Sequence, residues 1–163
     1  MKFMMNGALT IGTLDGANVE ISEQVGRENI FLFGLTAPEV EQLYKYGNYS
    51  AGALYEGNPV IHRTLETLIN GTLDSGLARQ FSDLHHLLLY GENGALADQY
   101  LVLKDFPSYL DTQVRVRSTY RDQNRWREMA ILNTAKSGFF SSDRTIEEYN
   151  DKFWHLKRTQ FEK

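Results

Sequence analysis

The hydrophobic pattern changes period twice in the first 33 residues. Residues 8–14 (ALTIGTL) form a short, apolar, β-prone run, 17–25 (ANVEISEQV) suits a helix closed by Gly26, and 30–33 (IFLF) is unbroken apolar sequence. Strand, helix and strand in that order predict a compact βαβ unit with a parallel pair. A hairpin is the alternative, because Asp15-Gly16 is a favoured two-residue turn and 17–21 could return as the second strand. Ser22, Glu23 and Gln24 are poor strand formers and Gly26 suits a helix C-cap, which favours βαβ.

From residue 36 the period becomes helical. Thr36 and Glu39 make a capping box ahead of Val40, Leu43 and Tyr44. Asn58-Pro59 opens a second helix, with Ile61, Leu65 and Leu68 on one face before Gly71. Phe81, Leu84, Leu87 and Leu88 mark a third. Residues 100–103 (YLVL) predict a further strand, after which Pro107 starts a helix to about Tyr120. Asp122 caps a helix carrying Trp126, Met129 and Ala130, and Ser142-Asp143 caps the last, with Ile146, Tyr149 and Phe153 at helical spacing. The tail, KRTQFEK, is expected to fray.

The predicted class is therefore α/β and helix-rich, with a βαβ segment over 1–35 and mainly helix over 36–163. So few strands make an awkward complete domain, since a parallel pair needs strands beside it and helices over both faces. The simplest expectation is that the missing strands precede residue 1. No repeat, low-complexity segment or linker interrupts the chain.

Composition narrows the functional classes. The 163 residues fit one domain, and 21 acidic against 17 basic residues, dispersed along the chain, leave no footprint for nucleic acid or an anionic membrane. The absence of cysteine removes disulfides, thiolate nucleophiles and Cys-based zinc sites, and points to a reducing, cytoplasmic setting. The apolar start FMMNGALTIG is broken by Asn6 and Gly7, too short for a membrane span and unlike a leader. The sequons at Asn48 and Asn70 would matter only in a secreted protein.

Most candidate chemistry has a plainer explanation. Gly7, Gly12 and Gly16 fit neither G-x-G-x-x-G nor G-x-x-x-x-G-K-[ST], which disfavours a nucleotide-binding protein. His85 and His86 are adjacent on a helix, about 100° apart, and cannot both face one metal. Glu147 and Glu148 belong to the solvated face of the last helix. Arg115, Arg117, Arg121, Arg125 and Arg127 could attract phosphate, but interleaved with Asp111, Asp122 and Glu128 they predict an ion-paired helix surface. Trp126, Phe139, Phe140 and Trp154 suit core or docking contacts. Lys2, read alone, is a solvated lysine. An imine-forming lysine needs a neutral amine, hence burial or cationic neighbours.

Resemblance changes the standing of Lys2. The stretch from Met1 through Lys2, Phe3, Met4, Met5, Asn6 and Gly7 to Thr13, continued by Leu14-Asp15-Gly16-Ala17-Asn18-Val19-Glu20, resembles the cofactor-lysine segment of the glycogen, starch and maltodextrin phosphorylases. That family's pattern runs E-A-S-G-x-G-x-M-K-x-x-[LM]-N, and M-K-F-M-M-N is its second half. Asn29 to Gly34 (NIFLFG), the Trp126-Arg127-Glu128-Met129 helix and Phe140 to Ile146 (FSSDRTI) extend the likeness over nearly the whole chain.

The resemblance implies a carboxyl-terminal portion, 1–163, of the second Rossmann-like domain of a two-domain glycosyltransferase (GT-B type) fold. It implies phosphorolysis of terminal α-1,4 bonds of a glucan by inorganic phosphate, giving glucose 1-phosphate with retained configuration. It places pyridoxal 5'-phosphate on Lys2 as an imine anchor, the cofactor's own phosphate relaying the proton. The E-A-S-G-x-G half, which contacts sugar and receives the cofactor phosphate, is absent, so no catalytic residue is assigned and the chain alone is expected to be inactive; apolar surface normally covered by the missing sheet is expected to drive self-association. The rival class is a non-catalytic helical module that docks on a partner or a glucan.

Overall fold

The computed structural model describes residues 1–73 and 75–157. The tail expected to fray falls mostly in 158–163, outside the described residues. In order, the elements are α1 (Lys2–Met5), β1 (Ile11–Gly12), α2 (Ala17–Val25), β2 (Phe31–Leu32), α3 (Ala37–Tyr46), α4 (Ala51–Gly57) and α5 (Pro59–Ile69). α6 (Ala78–Tyr90), α7 (Val102–Arg121), α8 (Gln123–Lys136) and α9 (Ser142–Tyr149) follow, the last running into a π-turn at Asn150–Trp154.

β1 and β2 pair in parallel, with Ile11 opposite Phe31 and Gly12 opposite Leu32. The Phe31 and Phe33 amides donate to the Thr10 and Gly12 carbonyls at 3.0 and 3.1 Å. This settles the choice between βαβ and hairpin. Gly16, at φ +46, turns the chain into α2 rather than back along β1, and the Asn18 amide donates to the Asp15 carbonyl at 3.0 Å. Gly26 ends α2 as expected, at φ +83. The ladder is shorter than the apolar runs.

The helix starts are set locally. The Thr36–Glu39 capping box forms, the Asn58 side chain accepts from the Val60 and Ile61 amides at 2.9 and 3.2 Å, and Asp122 accepts from Arg125 at 3.1 Å. The last helix is capped by Ser141, one residue before the expected Ser142, through the Arg144 amide at 3.2 Å.

The strand predicted at 100–103 is not formed. Leu101 sits at φ +56 and α7 begins at Val102, because the Asp98 carboxylate accepts from the Val102 and Leu103 amides at 2.9 and 2.8 Å and starts the helix. The apolar run reflects burial of Leu101 and Leu103 in a turn and a helix start. Pro107 consequently lies inside α7, not at its first position. α1 and α4 were not anticipated.

Two cores organise the chain. Met4, Ile21, Val25 and Ile30, joined by Leu32, Leu132 and Phe140, bind α1, α2 and β2 to α8. Ala51, Ile61, Leu65, Leu89 and Leu103, joined by Phe106, bind α4, α5 and α6 to the start of α7. α7 spans both: Leu103 enters the helical core, while Thr112 and Arg115 reach the Leu32 carbonyl of β2 at 3.3 and 2.8 Å.

Candidate functional site

Lys2 stands at the first position of α1, a single turn whose placement depends on its neighbours. Met4, 2% exposed, plugs the core formed by α2 and Ile30. Lys2, Phe3 and Met5 face outward. The Asn6 side-chain amide folds back and donates to the Lys2 carbonyl at 2.8 Å, while the Gly7 and Ala8 amides donate to the Met4 and Phe3 carbonyls at 3.0 Å each.

α8 supplies the base on which this turn rests. Asn133, buried, donates to the Ala8 carbonyl at 2.6 Å, and the Thr134 hydroxyl reaches the Met4 carbonyl at 3.5 Å. Gly7 adopts φ +75, and a Cβ there would come within 3.4 Å of the Thr134 hydroxyl and 3.6 Å of Ala130. The sequence M-K-F-M-M-N-G therefore makes one outward lysine on a clamped turn, with Met4, Asn6 and Gly7 as its fixings.

The Lys2 side chain makes no hydrogen bond or ion pair with the described residues. The exposed primary amine is open to an aldehyde, while the burial that favours imine formation is not supplied by this turn. A phosphate grip is a different matter: residues 1–8 hold no second basic side chain, and a four-residue turn does not make an anion site. The donor set fits an anchor, and the rest of a cofactor site would have to come from elsewhere.

The other sequence candidates are dispersed. His85 sits edge-on to Tyr55 at 6.3 Å and His86 packs on Tyr90 at 5.1 Å, so the two rings face different partners. Glu148 is exposed and paired with Arg144 and with Lys152 at 3.4 Å, its carboxyl held below the usual range first by the Lys152 hydrogen bond and then by the Arg144 charge. The arginine run is less an ion-paired surface than expected. Arg115 donates to the Leu32 carbonyl, and Arg125 donates to the Glu28 carbonyl at 2.9 Å and the Asn29 side chain at 2.8 Å, with Glu128 at 3.8 Å. The contacts to Leu32, Glu28 and Asn29 span more than 80 residues of sequence, which periodicity cannot foresee. Trp126 stacks on Phe31 with ring centroids 6.1 Å apart, whereas Trp154 stays half exposed against Tyr149.

Among the described residues no helix is long and apolar enough to cross a membrane. The family model for carbohydrate phosphorylase matches residues 1–156. A glycogen phosphorylase of Synechocystis sp. is 49% identical over 157 residues, covering 96% of this chain and 18% of its own length. One of Bacillus subtilis is 47% identical over 157 residues, covering 96% and 19%. Alpha-glucan phosphorylase 1 of Arabidopsis thaliana is 44% identical over 160 residues, covering 98% and 16%. The chain thus spans less than a fifth of the length of these curated relatives, and Lys2 with its clamped turn lies inside the matched region. The chain belongs to the carbohydrate phosphorylase family.

Proposed function

We propose that this chain supplies the cofactor-anchoring lysine and the closing part of the second Rossmann-like domain of an α-glucan phosphorylase. Such an enzyme cleaves a terminal α-1,4 bond with inorganic phosphate and releases glucose 1-phosphate. The observation that carries the reading is the outward Lys2 on its clamped turn, within a family match covering nearly the whole chain. Pyridoxal phosphate, when bound, supplies the acid–base phosphate group of the reaction. The residues of this chain hold it: Lys2 provides the amine, Met4 and Gly7 fix the height of the turn, and Asn133 and Thr134 fix its direction.

The domain assignment draws support from the sheet. Hydrogen bonds alternate sides along a strand, so with Phe31 and Phe33 turned to β1 the Leu32 carbonyl faces the other way. Thr112 and Arg115 cap that outer side. The Ile11 backbone, by the same alternation, faces the free side of β1, where further strands of a Rossmann-like sheet would add. Residues 1–35 form the βαβ segment of that domain and 36–163 its helical completion. A cytoplasmic setting accords with the lack of cysteine.

A segment exchange tests the proposal. The corresponding segment of the Bacillus subtilis relative is replaced by this chain and the chimera assayed for glucose 1-phosphate formation from maltodextrin. The expected result is cofactor-dependent phosphorolysis, lost with the cofactor absorbance in Lys2→Arg, and no activity for the chain alone. Equal cofactor retention by Lys2→Arg, or phosphorolysis by the isolated chain, would sink the reading.

A further inference from the structure

We propose that the aromatic-walled cleft at the carboxyl ends of β1 and β2 binds a small organic cation, an alkylammonium head group, against the Asp105 carboxylate. The cleft holds about 400 Å³, within the range of small-ligand sites. Its floor is Thr13 and Phe33, the residues that follow the two strands, which is where open parallel sheets take ligands. Its walls are Val102, Phe106 and Tyr109 of α7, with Tyr100 at the mouth. Phe33 meets Tyr109 edge to face at 5.2 Å, and Phe106 stacks on Tyr109 at 6.4 Å, so the lining is held as one aromatic unit.

Charge selects the occupant. Among the described residues, Asp105 carries the only carboxyl group in the lining, and no basic side chain lines it. Its Oδ1 accepts from the Leu35 amide at 2.8 Å, and no described hydrogen bond reaches its Oδ2. The Gly34 amide, which could compete, donates instead to the Ser108 hydroxyl at 3.0 Å. Gly34 also lets the carboxylate approach: a Cβ there would lie 2.7 Å from it. Burial pushes the Asp105 carboxyl above its ordinary range, and Asp98, Asp15 and Glu39 push it the same way, so the local field is negative. The amino end of α7 does not reverse that sign, because Asp98 already takes its first two amides. An anion is repelled and a neutral apolar ligand gains stacking alone. A cation gains the aromatic faces and the carboxylate together.

The proposal stands apart from the function above and is tested with no cofactor or glucan present. Choline and its neutral isostere 3,3-dimethylbutanol are titrated into the chain while the Thr13 and Leu35 amide resonances are followed by NMR. Choline should saturate, with shifts centred on those amides, and bind about tenfold more tightly than the isostere. Asp105→Asn, whose amide oxygen can still accept from Leu35, should weaken choline severalfold, leaving only the margin over the isostere that the aromatic faces supply. Tyr100 is 80% exposed, so Tyr100→Leu keeps the fold and should weaken choline severalfold while leaving the isostere unchanged. Equal binding of the two ligands, no saturation by choline, shifts centred elsewhere, or an unaltered choline affinity in Tyr100→Leu would each overturn the proposal.

Discussion

At Asp98 a carboxylate only 4% exposed accepts from the Val102 amide, the Leu103 amide and the Tyr49 hydroxyl. Tyr49 in turn is pushed far above the usual phenol range, first by burial and then by that hydrogen bond. Three donors share one side chain, so truncation leaves one buried and two part-buried donors without partners. Asp98→Ala is expected to cost about 3 kcal/mol in urea unfolding, and Asp98→Asn, which keeps one acceptor and tolerates the φ of +44, about half that. Gly91 is the backbone counterpart. At φ +72 and ψ −178 it occupies a region essentially reserved for glycine, and a Cβ would sit 2.2 Å from the Ala95 carbonyl oxygen. Gly47, at φ +63 with open space around it, lacks that clash. Gly91→Ala should therefore cost about 3 kcal/mol and Gly47→Ala about 1 kcal/mol, a difference visible in thermal melts. Equal losses would show that the Ala95 clash is relieved cheaply by a loop shift.

Between elements, the tie from α4 to α5 has a pH signature. The Tyr55 hydroxyl donates to Glu66 at 2.5 Å, its ring stacks on His62 at 4.2 Å, and its pKa is pushed up to about 12, chiefly by the Glu66 hydrogen bond. The folded state holds this proton more tightly than the unfolded chain does. Its contribution is complete below the unfolded phenol value of about 10 and is lost as pH rises toward about 12. Phenolate absorbance should show a tyrosine titrating late but ahead of Tyr49, and Glu66→Gln should bring its midpoint down; an unchanged midpoint would remove Glu66 as the cause. The edge of β2 makes a second case. Arg115→Ala should cost about 1 kcal/mol and speed aggregation, since the Leu32 carbonyl then keeps only the long Thr112 bond and the strand edge is partly reopened. These elements differ in how far the sequence announced them. Thr36–Glu39, Asn58 and Asp122 were legible because a cap and the amides it serves lie within three residues. The start of α7 was not, because Leu101 takes a left-handed conformation and an apolar run of four looks alike in a strand and a buried helix start. Contacts from Arg115 and Arg125 to the βαβ segment, and the convergence of Thr13 and Phe33 with Asp105, depend on how remote segments pack. Lys2 stands out only through resemblance, because nothing in its local sequence separates it from any exposed lysine.

On the scale of the whole molecule, the apolar surface is unevenly covered. Phe3 is 82% exposed and Ile131 70% exposed, although α1 packs on α8 and both carry residues of the core. Gly7, Ala130, Ile131, Thr134 and Ala135 line an open apolar hollow where α1 meets α8. The outer side of β1, unpaired among the described residues, belongs to the same sheet-bearing half of the chain. A face of this kind on a chain that spans less than a fifth of its relatives' length suits contact with other protein rather than with water. The purified chain should therefore self-associate with rising concentration in light scattering. Phe3→Ser combined with Ile131→Ser should shift it toward monomer, while Leu77→Ser, an exposed apolar residue at the start of α6, should not. The comparison separates a specific face from general stickiness: equal effects of the two changes would mean that association draws on apolar surface anywhere. A wild-type monomer at all concentrations would mean that Phe3 and Ile131 are tolerated in water as single exposed residues, and that the α1–α8 face needs no cover.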